Sequence, residues 1–254
     1  MKEINISKKI LSTFGQTNAK YNLIQEGDRI LLGLSGGKDS ILLASILSRL
    51  KAHAPFKFDF KAVTIDYGRY GEYDYIFEYC KNLQIPYELH RTKIYETLEE
   101  KRRPNSSYCS LCSRMRRGAL YSRALEDGYN KIALAHHLDD AAESFIMNLS
   151  FNGALRSMPP LYKAQNNLIV IRPLIFIRER QIIDFIASNN IYIAPDCNCP
   201  INWQSDDKKP YARANAKKLL EDLESSNPNF FISLKKAMSN LHVSSFCDSR
   251  YINF

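Results

Sequence analysis

Gly33-Leu34-Ser35-Gly36-Gly37-Lys38-Asp39-Ser40 stands between two apolar runs. Ile30-Leu31-Leu32 before it predicts a buried strand, and Ile41 to Leu47 after it has the apolar spacing of a helix. The segment is therefore a strand-loop-helix turn. Its two central glycines let the backbone curl with N–H groups pointing inward, the helix aims its positive end at the loop, and Lys38 adds a mobile cation. Hydroxyls of Ser35 and Ser40 supply further donors, each worth roughly 1.5–3 kcal/mol to a charged acceptor. This is a cradle for phosphate. Asp39 is the odd member, because a carboxylate repels phosphate unless a cation such as magnesium stands between them.

A Walker loop is excluded: Leu32 occupies the place of its first glycine, and Asp39 replaces the Ser/Thr after the lysine. Ser-Gly-Gly-x-Asp-Ser instead resembles the PP-loop of the N-type ATP pyrophosphatases. That resemblance implies cleavage of ATP to AMP and pyrophosphate, with an oxygen adenylated so that it can leave.

The rest of the chain is of ordinary globular composition, 254 residues with 45% hydrophobic and 24% charged. No apolar leader is visible, and the apolar run 168–177 is too short to span a bilayer and is broken by Arg172 and Pro173. A cytoplasmic protein without a membrane partner is expected. In that compartment the six cysteines point to metal, redox chemistry or plain burial before disulfides. The net charge of +8 gathers in groups such as Lys101-Arg102-Arg103, Arg114 with Arg116-Arg117, and Lys208-Lys209. Such groups interleaved with aromatics suit a polyanion, most simply RNA, or form a solvated basic face.

Five strands are expected at 30–32, 58–66, 86–90, 132–135 and 169–171, alternating with helices after the phosphate loop, at 73–83, from about 141, and at 178–189. That alternation predicts an α/β fold with a doubly wound, mainly parallel five-stranded sheet. A helical arm (1–26) precedes the central domain (27–205), and a C-terminal extension (206–254) carries helices near 217–224 and 230–241 before a polar, unstructured tail. Asp66 and Tyr67 fall at the carboxyl end of the second strand, where nucleotides lie in open parallel sheets. His136, His137, Asp139 and Asp140 follow the fourth. The histidines line the nucleotide site or bond within the fold, and the carboxylates hold magnesium or cap the next helix.

Cys109-Ser110-Leu111-Cys112, at the start of a predicted helix, is the second constellation. A helix N-terminus and neighbouring arginines favour thiolates there, but two thiols do not complete a site that wants four ligands. Cys197 and Cys199 are the candidates for completion. Structural zinc and a redox disulfide are the competing readings. Cys80 reads as a buried small residue, and Cys247 has no evident partner.

SGGKDS, CSLCSRMRRG, AHHLDD, MPPL, IRPLIFIRE and the late cysteine pair together resemble the tRNA 2-thiocytidine synthetases over residues 20–205. The resemblance implies the adenine nucleotide alpha hydrolase-like fold, thiolation of cytidine 32, ATP with magnesium, and a 4Fe-4S cluster on three cysteines. It also implies tRNA as substrate, a cysteine desulfurase or other sulfur donor, and a homodimer. Carried over, the ATP site is Ser35, Gly36, Gly37, Lys38, Asp39 and Ser40 with Asp66, His137 and Asp140, Lys38 and Asp39 being catalytic. Asp39 and Asp139 are the magnesium carboxylates. The cluster ligands are Cys109, Cys112 and Cys197, with Cys199 as the alternative third, because one residue rather than the usual two separates this pair. Arg114, Arg116 and Arg117 face the RNA. Leu138 replaces the arginine usual in the histidine motif. A 2-thiouridine synthetase, a lysidine synthetase and a non-catalytic RNA-binding protein are the rival readings.

Overall fold

The computed structural model describes residues 4–68, 71–101, 108–194 and 211–250. Its larger compact unit comprises residues 1–141 and 158–211. There the strands β1 (Arg29–Gly33), β2 (Asp59–Asp66), β3 (Tyr87–Arg91), β4 (Lys131–Ala133), β5 (Leu161–Lys163) and β6 (Ile169–Ile171) form one sheet in the order β3-β2-β1-β4-β6-β5. All neighbours are parallel except β5 and β6.

Alternation along each strand divides the core in two. Ile30, Leu32, Phe60, Ala62, Ala133 and Ile171 point to one cluster, where Ile10 and Phe14 of α1 (Lys8–Tyr21) meet α2 (Lys38–His53), α3 (Asp74–Asn82) and α7 (Glu179–Asn189). Leu31, Val63, Ile65, Ile132 and Val170 point to the other, covered by α4 (Ile94–Lys101) and α5 (Tyr108–Glu126). Central strands buried on both faces read as continuous apolar runs, which is why β1 was legible.

The sheet has six strands rather than the expected five. β5 is only Leu161-Tyr162-Lys163, joined antiparallel to β6 through a tight turn in which Asn166 and Asn167 have φ of 68° and 64°. Three residues are too few for a period-2 signal. α4 also lacked a signal, with Ile94 and Leu98 as its only buried positions. Cys80 is buried in α3 as expected, and burial pushes its thiol up to about 12.

The second unit comprises residues 142–157 and 212–254. It holds the later turns of α6 (Leu138–Asn152), most of α8 (Tyr211–Ser226), and α9 (Phe230–Ala237), and buried Glu143 accepts from Arg213 Nε at 2.6 Å. The tail is not wholly irregular: Val243–Ser245 forms a short 3-10 turn. Among the described residues no helix is long and apolar enough to cross a membrane.

At the amino edge of the sheet, Lys131 and Asp28 form an ion pair of 2.6 Å, only 4% and 5% exposed. Lys131 also donates to Leu23 O, while Asp28 accepts from Gln25 N and Asn130 Nδ2. Lys131→Met would strand a buried carboxylate and is expected to cost about 3–5 kcal/mol in urea unfolding, whereas Asp28→Asn/Lys131→Met should lose much less. A single-variant loss below about 1 kcal/mol would place the pair among the weak, solvent-screened ones.

Candidate functional site

β1 runs to β2 on one side while its other neighbour is β4, so the strand order reverses between β1 and β4 and opens a crevice at their carboxyl ends. The loop 34–37 lies on one wall and residues 134–137 on the other. Thr64 Oγ1 donates to Leu34 O at 2.5 Å and Leu34 N to Val63 O at 2.9 Å, which pins the loop to β2. Gly36 has φ +83°, and a Cβ there would collide with the Tyr75 hydroxyl and approach Ile76 Cδ1 to 2.6 Å. Only glycine fits that turn.

Gly37 caps α2 without any side-chain hydrogen bond to the first-turn N–H groups. Those donors are left for a ligand. Ser40 Oγ donates to Gly37 O at 2.9 Å and lies 3.2 Å from Ser35 Oγ, so the two hydroxyls share one side of the turn.

Lys38 Nζ sits 3.4 Å from Asp39 and 3.0 Å from Glu179 Oε1. Burial works against its charge, but the carboxylates of Asp39 and Glu179 outweigh it and hold the amine above its ordinary pKa. Asp39 is shifted upward, chiefly by burial, against the pull of Lys38 and His137. Its Oδ1 is buried with no hydrogen-bond partner among the described residues. His137, 4% exposed, places Nε2 3.6 Å from Asp39 Oδ1 and 3.4 Å from Asp140 Oδ2. Burial disfavours its cation, yet Asp139, Asp140 and Asp39 together raise its pKa.

The two carboxylates after His137 have separate tasks. Asp140 Oδ2 accepts from the His137 backbone N–H at 3.0 Å, the capping role at the start of α6. Asp139 accepts from Arg178 Nε at 3.0 Å and from Glu179 N at 2.7 Å, tying α6 to the first turn of α7. Burial raises its pKa, and His137, the Glu179 amide and Arg178 overcome that to leave it lowered. Both Asp139 oxygens are thus engaged within the fold.

Four carboxylates, Asp39, Asp139, Asp140 and Glu179, face two fixed cations, Lys38 and Arg178. A polyphosphate entering here meets net negative charge, which a divalent cation at Asp39 Oδ1 would offset. Among the described residues no group of three metal-binding side chains occurs.

Asp66 accepts from Gly68 N at 3.0 Å and from the Tyr73 hydroxyl at 3.1 Å at the end of β2. Tyr67 is 7% exposed, packs in the α5 cluster and accepts from Arg116 Nη1 at 3.2 Å. Arg114, Arg116 and Arg117 are all exposed, and Arg116 ties α5 to the carboxyl end of β2 through Tyr67. Cys112 is buried in the same cluster, one helical turn beyond position 109. The Cys109 side chain, Cys197 and Cys199 lie outside the described residues.

Sequence reasoning missed Glu179, which balances Lys38, and Arg178, which orders Asp139. IRPLIFIRE contains both, but nothing local to that motif says that α7 starts beside the loop after β1.

A PP-loop domain model matches residues 4–206. The tRNA-cytidine(32) 2-sulfurtransferase of Geobacter sulfurreducens is 43% identical over 236 residues, 92% of this chain and 90% of the relative. That of Pelobacter propionicus is 41% identical over 244 residues, 95% and 89% of the two chains. That of Coxiella burnetii is 36% identical over 256 residues, 100% and 98%. Among solved structures, the U34-tRNA thiolase NcsA from Methanococcus maripaludis with its 4Fe-4S cluster matches with a TM-score of 0.74 at 21% identity, covering 98% of this chain and 87% of that one. At that identity the likeness is one of fold.

Proposed function

The chain belongs to the PP-loop family of tRNA-cytidine(32) 2-sulfurtransferases, and from that membership we propose that it thiolates cytidine 32 of tRNA through an adenylated intermediate. It is a sulfurtransferase acting on tRNA. The observation that carries the finer reading is the N-terminus of α2, which has no side-chain cap, with Lys38 and with Asp39 Oδ1, buried without a hydrogen bond among the described residues, in the crevice between β1 and β4.

The C2 oxygen of cytosine is a poor leaving group. Attack of that oxygen on the α-phosphorus of ATP forms an O–P bond, breaks the bond to pyrophosphate and makes the oxygen leave as AMP in the next step. The N–H groups around Gly36 and Gly37, the hydroxyls of Ser35 and Ser40, and Lys38 stabilise the charge growing on the phosphates. Asp39 Oδ1 would hold magnesium, which when bound would offset the negative charge of the phosphates. Asp66 and Tyr67 border the ribose and base of the nucleotide, and His137 with Asp140 keeps the opposite wall in place. Asp139 remains a second candidate for magnesium only if it releases Arg178 and Glu179.

Cys109, Cys112 and Cys197, or Cys199 in its place, would hold a 4Fe-4S cluster, and the thiol set suits iron better than the hard-oxygen site beside Lys38. When bound, the cluster would carry the sulfide that replaces the C2 oxygen. Arg114, Arg116 and Arg117 bring positive charge to that end of α5 and hold the anticodon-loop backbone, with Arg116 also bracing Tyr67. The reading further includes a cysteine desulfurase or other sulfur donor, and a homodimer.

Nucleoside mass spectrometry of tRNA from cells lacking and regaining the protein tests this. Loss and return of 2-thiocytidine at position 32 is expected; 2-thiouridine or lysidine changing instead would replace the proposed substrate.

A further inference from the structure

Two arginines on the α5 side of the sheet have no carboxylate partner among the described residues. Arg172 directly follows β6, and the alternation Leu168, Val170, Arg172 continues on the face where the first two pack into the α5 cluster. It is 7% exposed. Its Nε donates to His136 Nδ1 at 3.3 Å, its Nη1 to Pro159 O at 2.8 Å, and its guanidinium stands 4.9 Å from the centre of the Tyr162 ring. The Tyr162 hydroxyl lies 2.8 Å from that of Tyr121 on α5. One turn back on α5, exposed Arg117 donates to Ser113 O at 3.3 Å, its one hydrogen bond among the described residues.

Burial lowers the pKa of Arg172, and like-charge repulsion from Arg117 adds to that against the Tyr162 and Tyr121 hydroxyls. Both arginines also act on Tyr121, whose hydroxyl is raised chiefly by burial and by Tyr162. Arg172 lies against Tyr162 and Arg117 precedes Tyr121 by one helical turn on α5, so the two cations flank one hydroxyl pair. Buried arginine is costly without a negative partner.

We infer that Arg172 and Arg117, with the hydroxyls of Tyr121 and Tyr162, seat a phosphate group, that of a backbone phosphodiester in the RNA substrate. Planar guanidinium donors flanked by hydroxyls match the several acceptors of a phosphate. β6 stands two strands from β1, roughly 10 Å across the sheet, so this seat lies away from the loop 34–37 and adjoins the crevice only through His136 on its opposite wall. It shares the α5 face with Cys112, so a backbone held here runs past the cysteine helix. The choice of RNA rests on the tRNA-thiolation reading; the seat for phosphate does not.

Equilibrium binding of unmodified tRNA across a salt series, with ATP affinity measured in parallel, tests the inference on wild type, Arg117→Ala, Arg172→Lys and Arg172→Met. Arg117→Ala and Arg172→Met are each expected to weaken tRNA binding about tenfold and flatten the log–log salt slope by about one, while Arg172→Lys keeps the slope and ATP affinity stays unchanged. Arg117 already stands among the RNA-facing arginines, so the Arg172 variants decide the seat, and Arg172→Gln, which keeps an amide donor near His136 and Pro159 O, is expected to show the same loss and replaces the methionine variant if that does not fold. An unaltered slope and unaltered ATP affinity in the folded Arg172→Met or Arg172→Gln variant overturns the seat. A tenfold loss of ATP affinity with the RNA slope intact keeps the seat and overturns RNA as its source. Wild type with no salt-dependent tRNA binding would instead refute the thiolation reading, independently of these variants.

Discussion

Asp39→Ala is expected to lower tRNA-dependent release of AMP and pyrophosphate by about a hundred- to a thousandfold, the effect of removing one well-placed electrostatic group from a transition state. Its thermal stability should match or exceed that of the wild type. Asp39 is held with a raised pKa, and its Oδ1 is buried without a hydrogen bond among the described residues, so the fold gains little from it. Lys38 keeps Glu179 at 3.0 Å when Asp39 is gone, so the loop retains its cation. Iron content should be unaffected, because Asp39 lies in the first turn of α2, which packs on one face of the sheet while the cysteine helix α5 packs on the other. Normal ATP–pyrophosphate chemistry in this variant would remove Asp39 from the mechanism. Large destabilisation would mean that the carboxylate serves the fold.

Cys112→Ala, purified and reconstituted without oxygen, is expected to take up no stable cluster and to make no 2-thiocytidine. Wild type prepared in parallel should contain about four irons and four sulfides per chain. Cys112 is 8% exposed in the cluster with Tyr67 and Leu120, so loss of its sulfur costs only about 1 kcal/mol of packing, and the variant should remain folded and bind ATP normally. Arg116 and Tyr67 still join α5 to the nucleotide edge in this variant. Full thiolation by Cys112→Ala would sink the assignment. Zinc in wild type, with no iron taken up on reconstitution, would make the cysteines a structural site and require another route for sulfur.

Much of this was readable from neighbouring residues. The phosphate loop is a local object: Gly36 takes its one left-handed turn, Ser35 meets Ser40 five positions on, and the apolar runs on either side are long enough to show their period. The CxxC helix was legible for the same reason. β5 was not, since its three residues owe their strand conformation to pairing with β6. The histidine motif was half legible: its acidic pair had two possible tasks, and only the position of α7 shows Asp139 engaged by Arg178 and the Glu179 amide while Asp140 caps its own helix.

The sequence alone determined the strand-loop-helix turn, the alternation that makes a doubly wound sheet, and the residue types able to cradle phosphate or bind soft metal. Tertiary structure alone decided which distant groups share that site. Strand periodicity tells each side chain which face it takes but carries no information on strand order. The order β3-β2-β1-β4-β6-β5 brings β1 beside β4 and β6 beside β4, and so sets His137 near Asp39 and Arg172 against His136. The packing of α7 beside α2 likewise gives Lys38 its second carboxylate, Glu179.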